Sequence, residues 1–146
     1  MLNRIVVLGI AAAGLSACGM GTPNLRPTGD QFAPCDKARC VSSQQPGTRW
    51  AIEPLRYSGS RDAAQAALLR SLAGMPGAHV EASSRDYVHA TFTSPIMRYV
   101  DDLELRFVDA ESLVHVRSAS RIGYYDFDVN RQRVEALRSA FAAIQP

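Results

Sequence analysis

The residues best equipped for chemistry are concentrated between His115 and Arg133, in the run HVRSASRIGYYDFDVNRQR. Two arginines there, Arg117 and Arg121, carry planar guanidinium forks of the kind that grip a carboxylate or phosphate through two parallel hydrogen bonds. His115 adds a group that titrates near neutral pH. Upstream, an apolar residue recurs at every second position in two further segments, which puts Tyr87, His89 and Thr91, then Glu104 and Arg106, on the same side as His115 and Arg117. The candidate site is therefore His89, Glu104, His115, Arg117, Arg121, Tyr124, Asp126, Asn130 and Arg131. Two histidines, an acid and an arginine on one sheet face would serve proton transfer or the binding of a small anion. The same residue types equally make cross-strand charge pairs on a face in water, with Arg117 and Arg121 tied to Glu104, Asp126 or Asp128 and no ligand involved.

Stricter templates fail. The chain has no GxSxG elbow, no phosphate-binding P-loop, no dinucleotide fingerprint and no HExxH pair. Ser118 near His115 resembles a nucleophile beside its base, but an odd spacing on one strand sends the two to opposite faces. Asp101 and Asp102, followed by Glu104, would make a poor cation site, since adjacent acids in a strand point apart; a solvated turn is the expected setting. No metal or cofactor is implied.

Regular elements must hold these residues in place. Ser60 is a suitable N-cap and Asp62 a first-turn acid, and Ala64, Ala67, Leu68, Ser71 and Leu72 share one face at helical spacing, which predicts a helix from Arg61 to Ala73 stopped by Gly74 and Pro76. Alternation predicts strands over Ala78–Ser83, Tyr87–Ser94, Leu103–Asp109 and Leu113–Ala119. Trp50, Ile52 and Leu55 mark a short strand before the helix. Val134, Leu137, Phe141 and Ile144 line a closing helix from about Val129 to Ala143, with Asp128 or Asn130 as its cap. The order β-α-β-β-β-β-α implies a single α+β domain, a curved antiparallel sheet with both helices on its apolar face.

The first residues read as a targeting segment. Asn3 and Arg4 precede the apolar run Ile5–Leu15, which is shorter than the roughly 20 residues a membrane span needs, and Leu15-Ser16-Ala17-Cys18 is similar to the bacterial lipobox. Residues 1–17 are then a signal peptide, Cys18 the acylated residue, and 18–33, rich in Gly and Pro, a tether to a domain spanning 34–146. Gly19 after the Cys, in place of Asp, points to an outer-membrane anchor facing the periplasm. Acylation would leave Cys35 and Cys40, a close pair that an oxidising compartment joins as a disulfide. A zinc site needs more ligands than the remaining residues offer at suitable spacing. Lys and Arg total 16 against 14 Asp and Glu, too even a balance for the clustered basic footprint of a nucleic-acid binder.

Pro34-Cys35, Cys40-Val41-Ser42-Ser43-Gln44, Asp86-Tyr87-Val88-His89-Ala90, Val100-Asp101-Asp102-Leu103-Glu104 and the block from Arg117 to Leu137 stand in an order that resembles the family catalogued as domain of unknown function 1499. That resemblance covers nearly all of the chain after the tether. It implies a bacterial envelope lipoprotein and supplies no catalytic residues. The expectation is a lipid-anchored binding or accessory module whose partner is an envelope protein or a small anionic ligand. An enzyme working at the His/Arg/Glu face and a scaffold without a ligand are the alternatives.

Overall fold

A computed structural model describes Pro23, Leu25 and residues 29–145. The signal peptide and Cys18 lie outside these residues. Six strands form one antiparallel sheet: β1 (Cys40–Ser42), β2 (Leu55–Arg56), β3 (Ala78–Ser83), β4 (Tyr87–Thr93), β5 (Val100–Val108) and β6 (Leu113–Ser120). The spatial order is β1-β6-β5-β4-β3, and β2 pairs with the start of β6, beyond the end of β1. Two helices, α1 (Arg61–Ala73) and α2 (Val129–Ile144), complete the α+β domain.

Local chemistry explains most boundaries. The Ser60 hydroxyl accepts from the Ala63 N–H at 3.2 Å and opens α1; the Gly74 N–H bonds the carbonyls of Arg70 and Ser71 and closes it. Gly77 has φ +76°, and a Cβ there would stand 2.6 Å from the Thr93 carbonyl oxygen, so glycine is what allows α1 to turn into β3 against the end of β4. The cap of α2 differs from expectation. Asp128 sits in the left-handed region and makes no side-chain cap bond. Asp126 does that work instead, accepting from the backbone N–H groups of Asp128 and Asn130 at 3.1 and 3.0 Å.

Val88, Ala90, Phe92, Leu103, Leu105, Phe107, Val114 and Val116 project from the sheet into one core with Ala64, Ala67, Leu68, Leu72, Val134, Leu137 and Phe141 of the helices. Burial of each large apolar side chain contributes about 1.5–3 kcal/mol. Ile144, expected in this stripe, is 39% exposed where α2 ends. Two further differences concern the amino-terminal region. Cys40–Ser42, outside the predicted strands, pairs with Arg117–Ala119 as one more strand. Phe32 and Ala33 are buried, so packing begins before Pro34.

Candidate functional site

The face of the sheet away from the helices carries His89, Glu104, His115 and Arg117 of the predicted residues, and the register brings them together. His89 stands opposite Glu104, Glu104 opposite Arg117, and Arg106 between Tyr87 and His115. This face is not solvated, contrary to the expectation of charge pairs in water. Glu104 is 0% and Arg117 1% exposed. Alternation reveals which way these side chains point but not that a second layer covers them. That layer is the segment before β1. Its Asp30 reaches Arg106 at 3.7 Å, and the Cys35–Cys40 disulfide, with Cα atoms 5.5 Å apart, packs with Trp50 on Ala119 of β6. Two glutamines after β1 hold it down. Gln44 Oε1 accepts from the Phe32 N–H at 2.8 Å, and Gln45 accepts from the Cys35 N–H at 2.7 Å while donating to the Cys35 carbonyl.

Under this cover the polar groups are spent on one another. Arg117 donates to Glu104 Oε2 at 2.8 Å, and the Tyr87 hydroxyl donates to Oε1 at 2.9 Å. Nε of Arg117 meets no protein acceptor. Asp102, expected in a solvated turn, lies within β5 and receives His89 Nε2 at 2.9 Å and both prongs of Arg121 at 2.9 and 3.0 Å. Burial pulls the Asp102 carboxyl upward, but the hydrogen bonds from His89 and Arg121 outweigh it and hold the group below its ordinary range. The same contacts raise Arg121. Tyr87 is pushed well above the usual phenol range by burial and by the Glu104 charge. His115 is lowered, chiefly by burial, with Glu111 opposing. Its Nδ1 lies 3.0 Å from the Ser43 hydroxyl, which already accepts from the Val116 N–H and is placed to donate to a neutral ring.

A second polar cluster lies on the helix side, where Asp101 points. Ser118 donates to Asn130 Oδ1 at 2.6 Å, Asn130 donates to Asp126, Ser120 and the Arg39 carbonyl, and Arg133 bridges Ser118, Asn130 and Asp101. Asn130 is fully buried. Ser118 and His115 do face opposite ways, and Arg131 donates to the carbonyls of Ala51 and Arg49. Of the candidate residues, then, Asp126, Asn130 and Arg131 fasten α2 to the sheet and the loop before β2.

Tyr124 is the exception, being 81% exposed. The sequence marks Tyr124 as a candidate but not the exposed apolar residues around it. The β4–β5 loop (94–99) and the β6–α2 loop (121–128) are neighbours because β5 and β6 are paired, with Asp101 opposite Ser120. Together they expose Ile96, Met97, Tyr99, Ile122, Tyr124, Tyr125 and Phe127. Tyr125 and Phe127 meet edge to face at 5.0 Å beside a cleft of about 320 Å³ that Tyr99, Ile122 and Val129 also line. Arg98 and Phe127 are both held at positive φ, 56° and 54°, a conformation that costs a side-chain-bearing residue about 1–2 kcal/mol. The available signal was two apolar runs, PIMRY and IGYYDF, with neither helical nor strand period.

No group of three or more metal-ligating side chains occurs among the described residues. No helix among them is long and apolar enough to cross a membrane.

A family model described as a protein of unknown function, DUF1499, matches residues 31–141. The chain belongs to the DUF1499 family. The match takes in the covering segment with its disulfide, both polar clusters and the aromatic loops, and it starts next to Phe32, where packing begins. No curated protein matches this DUF1499 chain.

Proposed function

We propose that this DUF1499 protein is an outer-membrane lipoprotein, anchored through Cys18 in the periplasm, that acts as a binding or accessory module of the envelope. The observation that carries the binding reading is the exposure of the aromatic loops, with Tyr124 at 81% and Phe127 at 77%, beside a polar face whose acids and arginines pair with each other. Exposed apolar clusters of this kind mark interaction sites. The burial of Glu104 and Arg117, paired with each other across β5 and β6, argues for a brace within the sheet and against an open catalytic face. The anchor rests on the lipobox-like Leu15–Cys18.

Intact mass and membrane fractionation of wild type and Cys18→Ser test the anchor, with acylated, membrane-bound protein expected only from wild type. For the binding surface, a Tyr124→Asp/Phe127→Asp chain should lose the envelope function that deletion removes while keeping wild-type abundance and melting temperature. Full function in that variant would overturn the assignment of the loops.

A further inference from the structure

Resting on the proposed anchor, we infer that the aromatic loops seat in the interfacial layer of the bilayer that holds the lipid chain. The tip carries Ile96, Met97, Ile122 and Phe127 as apolar groups, with Tyr99 and Tyr124 among them. Tyrosine concentrates where a membrane meets water because its ring is apolar and its hydroxyl wet. Cations border the tip. Arg98 lies within the first loop, and Lys37 stands 5.3 Å from the ring centre of Tyr124, a placement suited to anionic headgroups. Asp101, the acid nearest the loops on β5, is neutralised by Arg133, and Asp126 is engaged by the amides at the start of α2, which leaves Asp128 as the exposed acid of the second loop.

Chain geometry permits the contact. Covered chain starts near Arg106, since Asp30 pairs with it, and from Arg106 to Val100 at the tip end, β5 covers about 20 Å at 3.3–3.4 Å per residue. From Cys18 to Gly29 the chain can reach at most about 36–40 Å. The anchor therefore allows the domain to lean its tip onto the same membrane.

The test uses the full acylated protein in phosphatidylethanolamine/phosphatidylglycerol vesicles, with a nitroxide at Tyr124→Cys or at Arg85→Cys, in the β3–β4 turn at the opposite end of the sheet. Both sites are exposed, and an unchanged melting temperature establishes that each labelled chain is folded. The expected result is a severalfold rise in the ratio of oxygen to aqueous nickel accessibility at 124 and no rise at 85. A label at 124 that stays water-exposed on vesicle-bound, acylated protein overturns this inference and leaves the anchor intact. So does shielding at 124 accompanied by dipolar broadening between labels, which assigns the tip to a second copy. Protein without an acyl mass overturns the anchor and this inference together.

Discussion

Replacing Glu104 by Gln removes the charge that Arg117 pairs with while keeping the shape of the side chain. Because Glu104 is 0% and Arg117 1% exposed, water cannot take over, and an uncompensated buried charge costs about 3–5 kcal/mol. Arg117 already has an Nε without a protein acceptor, which leaves it no second partner to turn to. The same loss is expected for Arg117→Met, where Glu104 is stranded with only the Tyr87 hydroxyl. For a domain of this size about 4 °C of melting temperature accompanies each kcal/mol, so each single variant should melt more than about 10 °C lower. Glu104→Gln/Arg117→Met, which removes both charges, should recover most of that, because replacing a buried pair with uncharged groups is often close to neutral. Urea unfolding of the three variants and wild type measures the coupling directly. Single losses below about 1 kcal/mol, the range of exposed pairs, would refute the reasoning and imply that solvent reaches the pair.

Cys35 and Cys40 should appear joined by mass spectrometry without reductant, and Cys35→Ser should lower stability by roughly 2 kcal/mol without abolishing folding; two free thiols would contradict this. Stability should fall on acidification in two stages: first below about pH 6.5, where the unfolded chain binds the proton that lowered His115 does not, and again through the carboxylate range, where Asp102 stays ionised longer when folded. On the alkaline side stability should decline above about pH 10, as unfolded Tyr87 ionises and folded Tyr87 does not; urea midpoints across pH read all three. Gly77→Ala should cost about 1–3 kcal/mol by thermal melting, since φ +76° and a contact at 2.6 Å to the Thr93 carbonyl oppose any Cβ.

How much of the fold and site was legible in the sequence follows from what each pattern encodes. Helical spacing of Ala64, Ala67, Leu68 and Leu72 located α1 because the stripe and its capping serine agree. Strand alternation sorted Val88 from His89 correctly but is silent on whether a layer lies beyond, and the covering layer has too little regular structure to announce itself. Arg117 was matched to Glu104 among several options. The partner of Arg121 was missed, because Asp102 comes within reach only through the register of β5 on β6, where it stands opposite Ala119. The apolar neighbours of Tyr124 at the tip are illegible for a different reason: helical spacing places Phe141 in the core, but an apolar residue without period reads as loop filler, and nothing in the pattern marks Phe127 as standing in water.

The disulfide also decides how the domain answers a pull. A load arriving through a lipid anchor would enter at the covering segment and strain the glutamine contact at Phe32 and the Asp30–Arg106 pair before anything else, and these would yield in succession, as a strip does when peeled. At Cys35 the strip ends, because the covalent link to Cys40 hands the tension to β1 and so to β6, inside the sheet. There the load meets a ladder of hydrogen bonds together with the packing of two helices. Tugging at the tether would thus lift the leading residues of the cover and leave the strands of the sheet in register.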